Sequence, residues 1–248
     1  LLALRGSGTN SGGLAGFEHG TDYYLYLLRS QVGTDASPEE IEQRLYRQLN
    51  TDTKEIQAIA AEHPSLLLSF SAPELNFSSP EHMLEDLETA ITEDFPSLEQ
   101  TSWEIKYVDE ALEDFLSPAF YLTPPVDTNS PNSIYINNSS EMSSLELYTT
   151  LAHEGFPGHL YQTVFFSLTD APYIRHLYAP GGYIEGWATY VESYAYEYAV
   201  RSNPEQADAA RLMWLNRSVN LCLYSLMDIG IHYHGWNRAQ TEHFLSAF

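Results

Sequence analysis

A proline-glycine pair inside a histidine motif is the feature that most constrains the fold of this chain. The stretch "LAHEGFPGHLYQ", residues 151–162, carries His153 and His159 six positions apart, with Pro157 and Gly158 between them. At about 100° per residue, a regular helix would turn about 600° between the histidines and leave their rings about 120° apart. Proline lacks the N–H that would bond the carbonyl four residues earlier, so a regular helix cannot continue through this stretch.

Two geometries remain open around Pro157. A bulged turn could absorb two residues and return His159 to the side of His153, since Gly158 adds backbone freedom at the same place. Alternatively, one helix ends near Phe156 and a second begins with Pro157 at its first position. Both geometries allow the two histidines to converge on one ion.

The residue types in this stretch suit hydrolytic metal chemistry. Neutral imidazoles bind Zn²⁺ well, and a catalytic zinc site has three protein ligands and a water. Glu154, next to the first histidine, is placed to accept a proton from that water. The alternative is a pair of histidines at helix ends with no metal, because the spacing H-E-x5-H is a weak pattern by itself.

The stretch "PGGYIEGWATYVESYAYEYA" supplies carboxylates for a third ligand. Glu185 and Glu192 are seven residues apart, which is about two helical turns and nearly one face. Its apolar neighbours, among them Tyr183 and Trp187, predict that Glu185 lies in an apolar setting where a carboxylate needs a partner such as a metal. Glu192 is better suited to orienting a ligand histidine from behind. In a chain this acidic, both could instead be solvent-facing acids.

A last cluster, "LMDIGIHYHGW", places Asp228 and His232 four residues apart, on one helical face. A histidine oriented by an aspartate could stabilise the oxyanion of a tetrahedral intermediate, and Tyr233 is a second candidate for that role. The alternative is an ordinary helix end, because cationic His232 and His234 side chains in a last turn suit the helix dipole.

The periodicity predicts a mainly α chain with a small β-sheet, an α+β fold, in a single domain over residues 1–248. An N-terminal helical part runs to about residue 100, with Ser-Pro helix starts at Ser37 and Ser79. The sheet and the active-site helices follow at about 101–248. Short aromatic and β-branched runs predict strands at about 103–109, 118–123 and 133–137. Further helices are predicted at about 143–156, 157–167, 183–201 and 204–231, and after a cap at Asn237.

The charge balance limits the partners. There are 34 acidic residues against 11 basic ones, a net charge of −23, which repels phosphate backbones and anionic membrane surfaces. Nucleic acid is therefore not an expected partner. No apolar run reaches the roughly 18 residues that cross a bilayer, so no membrane insertion is expected within this segment. Cys222, the only cysteine, lies in an apolar run and is expected to be a buried thiol.

Three stretches in this order, "LAHEGFPGH", "EGWATYVE" and "DIGIHYHGW", resemble the motifs of a large bacterial zincin-like family catalogued as domain of unknown function 885. Its patterns are H-E-x-x-P-G-H, E-G-W-A-x-Y-x-E and D-T-G-I-H-x-x-G-W. The likeness extends upstream to "SPAFYLTPP" and "IYINNS" and covers most of the chain, with Ile229 where the third pattern has threonine. The resemblance implies a gluzincin-type metallopeptidase fold, similar to the largely helical peptidases related to angiotensin-converting enzyme.

Carried over to the matching positions, the resemblance implies one Zn²⁺ bound by His153, His159 and Glu185, with Glu154 as the general base. His232 matches the histidine of the third pattern. In zincins an edge strand beside the active-site helix pairs with an extended substrate, and "NSIYINNS" or "AFYLTPP" would be that edge. Members of the family often look like lipoproteins or secreted proteins.

We therefore predict a zinc-dependent metallopeptidase acting on a peptide or protein substrate, with His232 or Tyr233 stabilising the oxyanion. One alternative is a non-catalytic cell-surface binding protein that retains the fold. Another is a metal-dependent hydrolase of a non-peptide amide or ester. The expected location is the cell envelope or the extracellular space, with the cytoplasm as the alternative. Because the chain begins without methionine and ends in a helical pattern, we expect the C-terminal part of a longer protein.

Overall fold

In a computed structural model, the chain is described over residues 12–68, 71–98 and 101–248. It is mainly helical, at 64%, with a small three-stranded sheet, so the predicted α+β class is confirmed. Residues 1–11 of the predicted N-terminal helical part lie outside the described residues. The chain divides into two compact units. The first unit comprises the N-terminal part up to Glu62 together with Leu215–Phe248. The second unit is His63–Trp214. The single domain over residues 1–248 stays a prediction.

The elements follow the predicted order of helices, strands and helices. The strands are β1 (Trp103–Tyr107), β2 (Ala119–Leu122) and β3 (Asn132–Ile136). The helices within the described ranges are α1 (Gly20–Leu27, extended by a π-helical turn, Leu28–Val32), α2 (Pro38–Glu62), α3 (Pro64–Leu68), α4 (Pro80–Ala90), α5 (Ser144–Glu154), α6 (His159–Ser167), α7 (Tyr173–Leu177), α8 (Gly181–Val200), α9 (Ala207–His232) and α10 (Arg238–Leu245).

Capping residues explain where several helices begin. The Ser37 hydroxyl accepts the N–H of Glu40, and the Glu40 carboxylate accepts the N–H of Ser37, so two N-terminal amides of α2 are satisfied. The same reciprocal arrangement begins α5 at Ser143 and α10 at Asn237. At α4 the Ser79 side chain accepts the N–H of His82. These starts agree with the sequence prediction.

The sheet has the order β1-β3-β2, with β1 parallel and β2 antiparallel to the central strand. β3, the "NSIYI" stretch, is therefore paired on both sides. The prediction that "NSIYINNS" could be a substrate-binding edge is wrong, because its main-chain groups are already used by two neighbours. The "AFYL" stretch, β2, lies at an edge of the sheet.

The core of the second unit lies between the sheet, α4, α5 and α8. Ile134 and Ile136 of β3 are buried in one cluster with residues of all three helices, and α5 packs directly on α8. Complete burial of an Ile or Leu side chain contributes about 1.5–3 kcal/mol, so this cluster fixes the position of α5 relative to α8. The fully buried helix residues of the cluster are Leu84, Leu87, Tyr148, Leu151, Ala152, Leu160 and Ala195.

Polar contacts tie the same three helices at one point. The Asp86 carboxylate of α4 accepts the hydroxyl of Tyr148, on α5, at 2.7 Å and the guanidinium of Arg201, after α8, at 2.9 and 2.5 Å. Burial, together with Asp86, raises the pKa of Tyr148, so its hydroxyl stays protonated as a donor. Removing one partner of such a buried group costs about 1–3 kcal/mol.

Two smaller clusters form the core of the first unit. Tyr24 and Leu28 pack with Ile229, and Leu49 packs with Cys222 and Leu226. The predicted burial of Cys222 is confirmed, and burial raises the pKa of its thiol to about 11. Among the described residues, no helix is both long and apolar enough to traverse a lipid bilayer.

Candidate metal centre

The helix breaks at the proline-glycine pair. α5 ends at Glu154 and α6 begins at His159, so Pro157 lies in the connection between them. Two separate helices flank the pair, as in the second predicted geometry, but the first ends two residues before Phe156 and the second begins two residues after Pro157. Gly158 is the residue that precedes α6, with a backbone ψ of −131° that a helical first residue would not have.

Two long-spaced hydrogen bonds bridge the break. The Gly158 N–H donates to the Ala152 carbonyl at 2.9 Å, and the Tyr161 N–H donates to the Gly155 carbonyl at 3.1 Å. Each bond spans six residues, where a regular α-helix spans four. Each therefore spans two residues more than a helical hydrogen bond does, and the rings of His153 and His159 lie 4.6 Å apart between centroids. The connection thus has the two extra residues of the predicted bulged turn, so the structure combines features of both geometries.

The loop fits closely against α5 because position 158 has no side chain. A Cβ on Gly158 would lie 1.8 Å from the carbonyl oxygen of His153 and 2.4 Å from that of Ala152. A second helix fixes the other side of the loop, since the Trp187 indole N–H of α8 donates to the Pro157 carbonyl at 2.8 Å. The "EGWA" stretch thus holds the "HEGFPGH" stretch in place. This role of Trp187 was not predicted, although the residue lies within the "EGWATYVE" stretch.

His153, His159 and Glu185 converge on one point. Nε2 of His153 is 3.5 Å from Glu185 Oε2, and Nε2 of His159 is 3.6 Å from Glu185 Oε1. One ligand atom from each of the three residues lies within 4.8 Å of the other two. Ligands about 2.1 Å from a tetrahedral Zn²⁺ would stand about 3.4 Å apart. The donor set fits this ion, and each imidazole lies at about this spacing from one oxygen of Glu185, although the two distances end on different oxygens.

The two histidines differ in their protonation tendencies. Burial, followed by the nearby charge of His153, lowers the pKa of His159 and favours the neutral imidazole that binds metals. Burial opposes charge on His153 as well. The hydrogen bond and charge of Glu192, with the charges of Glu154 and Glu185, outweigh it and raise the pKa of His153. Within the described part of the chain, the buried Nδ1 of His159 has no hydrogen-bond partner, while its Nε2 faces Glu185.

Glu192 lies behind His153, where the sequence placed it. Its Oε1 accepts a hydrogen bond from His153 Nδ1 at 2.6 Å, and the glutamate is only 3% exposed. The seven-residue spacing to Glu185 on α8 thus brings one carboxylate to each ring nitrogen of His153. Such a bond fixes the ring orientation and leaves Nε2 free to bind a metal.

Glu154 is half-buried beside this cluster, at the end of α5. Its Oε2 accepts the main-chain N–H of Tyr121, from β2, at 2.8 Å. Burial raises the pKa of Glu154 above its usual value. The contact with Tyr121 was not predicted, because a backbone N–H has no signal in the sequence.

The predicted apolar setting of Glu185 is wrong. Its side chain is 65% exposed, and Tyr183 is exposed as well. The cause is its place in α8: no residue before Ala188 is buried in this helix. The apolar residues around Glu185 in the sequence therefore do not enclose it.

The third motif belongs to the first unit. Asp228 and His232 share the last turns of α9, but Asp228 Oδ1 is 3.9 Å from His232 Nε2, too far for the expected hydrogen bond. Each has another partner. The Asp228 Oδ2 accepts the Tyr24 hydroxyl at 2.7 Å, and His232 Nδ1 accepts the N–H of Leu14 at 3.1 Å. The roles of His232 and Tyr233 in catalysis stay predictions.

Glu192→Gln should lower the affinity for Zn²⁺ by about 10–100-fold, because the uncharged amide is a weaker partner for His153. The change is measured by competition with a chromophoric chelator. Glu197→Gln, an exposed substitution on the same helix, is the control and should bind as the wild type does. Equal affinities for the two variants would contradict the orienting role.

Comparison with known proteins gives a fold and a family. A crystal structure of a candidate lipoprotein from Colwellia psychrerythraea is similar to this chain, with a TM-score of 0.74 and 23% sequence identity. The similarity covers 96% of this chain and 44% of that protein, so the chain spans less than half of its length. Among curated proteins, no sequence matches. A family model described as "Bacterial protein of unknown function (DUF885)" matches residues 5–248, and the chain therefore belongs to the DUF885 family.

Proposed function

We propose that this chain is a zinc-dependent hydrolase, and specifically a metallopeptidase. The observation that carries the proposal is the convergence of His153, His159 and Glu185, which each offer one ligand atom within 4.8 Å of the other two. Glu154 follows the first of these residues directly and supplies a carboxylate that is not part of the triad. Three ligands and one further acid are the set that a hydrolytic zinc site uses.

Each of these residues would have a separate role in hydrolysis. A Zn²⁺ held by His153, His159 and Glu185 would lower the pKa of a water to about 7 and polarise the carbonyl of the substrate. Glu192 keeps the His153 ring in the orientation that ligation needs. Glu154 accepts the proton of the attacking water and later delivers it to the leaving amine. Burial raises the pKa of Glu154 above that of an exposed glutamate, which makes the carboxylate a stronger base.

An extended peptide suits the site better than a folded protein would, because β2 lies at an edge of the sheet. Extended peptides bind such edges through main-chain hydrogen bonds. β2 also contacts Glu154 directly through the Tyr121 N–H, so a peptide would pair with the other edge-facing main-chain groups of the strand. We therefore propose a peptide or an unfolded segment of a protein as substrate.

We further propose a location in the cell envelope. This follows from the description of the structurally similar Colwellia psychrerythraea protein as a candidate lipoprotein. Fractionation of cells of the source organism, with an antibody against this chain, tests the location. Recovery with cytosolic marker proteins alone would contradict it.

The metal gives the first test of the function. Protein purified without chelators should contain one Zn²⁺ per chain by elemental analysis, and 1,10-phenanthroline should abolish peptide hydrolysis until Zn²⁺ is restored. A ligand present at 100 times its dissociation constant stabilises the folded state by about 2.7 kcal/mol, so Zn²⁺ should also raise the Tm of the stripped protein. Glu185→Gln should weaken both effects.

The outcomes separate the rival functions. Absence of bound metal and of a thermal shift would contradict the zinc site and favour a non-catalytic binding protein. A metal-loaded protein that cleaves esters or non-peptide amides, but no member of a peptide library, would favour the other hydrolase class. Library members with blocked termini report whether cleavage requires a free end.

A further inference from the structure

The main-chain groups of β2 divide into two sets. The Asn137 N–H donates to the Pro118 carbonyl at 2.8 Å, so the main chain at Pro118 faces β3. In an antiparallel pair the hydrogen-bonding direction alternates with each residue. Phe120 and Leu122 therefore bond β3, while the main-chain groups of Ala119 and Tyr121 point to the free edge. The register, with Tyr121 opposite Ile134, agrees with this assignment.

The edge-facing N–H of Tyr121 is used by a side chain from α5. It donates to Glu154 Oε2 at 2.8 Å, across 33 residues of sequence. A hydrogen bond to a carboxylate is stronger than one between neutral groups. Tyr121 is itself held in place, since its hydroxyl donates to Asn132 Oδ1 at 2.7 Å and its strand is paired with β3. The donor is therefore rigid, whereas a glutamate side chain has several rotatable bonds.

We propose that the main-chain N–H of Tyr121 is a positioning group for Glu154. The proposal rests on the proposed function, in which Glu154 moves the proton. With Oε2 held by the strand, the motion of the carboxylate is restricted, and Oε1 remains to receive the proton of the attacking water. A general base must lie within hydrogen-bond reach of the proton it accepts. Misplacement of a reacting group by about 1 Å can lower the rate about 10²-fold.

The most direct experiment replaces a single N–H by oxygen. Incorporating the α-hydroxy acid analogue of tyrosine at position 121 turns its amide into an ester and leaves the side chain unchanged. The matched control is the equivalent ester at Ala119, which also removes an edge-facing N–H and also weakens one carbonyl bonded to β3. Relative to that control, the ester at Tyr121 should lower kcat by about 10–100-fold. KM and Zn²⁺ affinity of the Tyr121 ester should stay within about twofold of the wild-type values, whereas loss of a peptide contact at Ala119 would raise KM in the control alone.

A second readout needs neither activity nor metal. The Tyr121 amide should exchange its hydrogen slowly in the wild type, and about tenfold or more faster in Glu154→Ala, which removes the acceptor. Glu154→Gln retains an acceptor oxygen and should exchange at close to the wild-type rate. Equal exchange rates in the wild type and Glu154→Ala would overturn the proposal, because they would show that the bond does not persist in solution.

A pair of ordinary substitutions repeats the kinetic test. Tyr121→Pro and Tyr121→Ala both lose the phenol, but only proline loses the N–H, and an edge strand tolerates proline where the N–H faces away from the ladder. Proline should lower kcat about tenfold relative to alanine. Equal kcat values, or an ester at Tyr121 that behaves like the Ala119 control, would overturn the positioning role while wild-type hydrolysis still supported the proposed function. A metal-loaded wild type without hydrolase activity would overturn the function and the role together.

Discussion

Glu154→Gln should lower kcat for peptide hydrolysis by about 10³-fold while leaving one Zn²⁺ bound per chain. The amide has nearly the shape of the carboxylate but cannot accept the proton of the attacking water. It still offers an oxygen to the Tyr121 N–H, so the contact between α5 and β2 should survive. Steady-state kinetics on a fluorogenic peptide and elemental analysis of the same sample measure the two quantities together.

The control for this substitution is Glu197→Gln, which makes the same chemical change at an exposed position of α8. It should leave kcat, KM and metal content within twofold of the wild type. Turnover by Glu154→Gln at more than about a tenth of the wild-type rate, in fully metal-loaded protein, would rule out Glu154 as the general base. Loss of metal together with activity would show a structural role instead.

Gly158→Ala should damage both stability and metal binding. A Cβ at this position would meet two backbone oxygens at 1.8 and 2.4 Å, and neither can rotate away as a side chain can. Overpacking of this kind costs about 1–3 kcal/mol, and we expect a loss near the upper end in the free energy of unfolding by urea. Because the shift would separate His159 from His153, Zn²⁺ affinity should fall by about 10-fold or more.

The control is Gly186→Ala, in the middle of the second motif. A Cβ there meets no atom within 4 Å, and the position is inside α8. Alanine should therefore stabilise the helix by about 0.5–1 kcal/mol relative to glycine. If Gly158→Ala unfolded at the same urea concentration as Gly186→Ala and bound Zn²⁺ equally well, the close approach of the loop to α5 would be contradicted.

Local chemistry made several features predictable. A serine or asparagine three residues before a glutamate or glutamine marks a helix start by its own hydrogen bonds, as at Ser37, Ser143 and Asn237. Pro157 predicts a break because the missing N–H is a property of the residue itself. The seven-residue spacing of Glu185 and Glu192 predicts a shared helix face for the same local reason.

Features that depend on tertiary packing were missed. Which strand occupies the middle of the sheet depends on pairing between distant segments, so the central position of β3 was not predicted. The exposure of Glu185 depends on where the core meets α8, and the separation of Asp228 from His232 follows from their bonds to Tyr24 and Leu14. The combination of the two geometries at Pro157 depends on six-residue hydrogen bonds that the sequence does not indicate.

The two six-residue hydrogen bonds of the bulge bear on how relatives of such a chain are recognised. They tie the four-residue connection to the end of α5 and the start of α6, so two histidines six positions apart still bring their rings to 4.6 Å between centroids. A text search for H-E-x-x-H requires the second histidine four positions after the first and therefore rejects this chain. Its ligand atoms nevertheless stand at ordinary separations. A better criterion for membership is three-dimensional. It asks for two imidazole nitrogens and a carboxylate close enough to share one ion, a glycine packed against the backbone of the first helix, and an indole that donates to the loop.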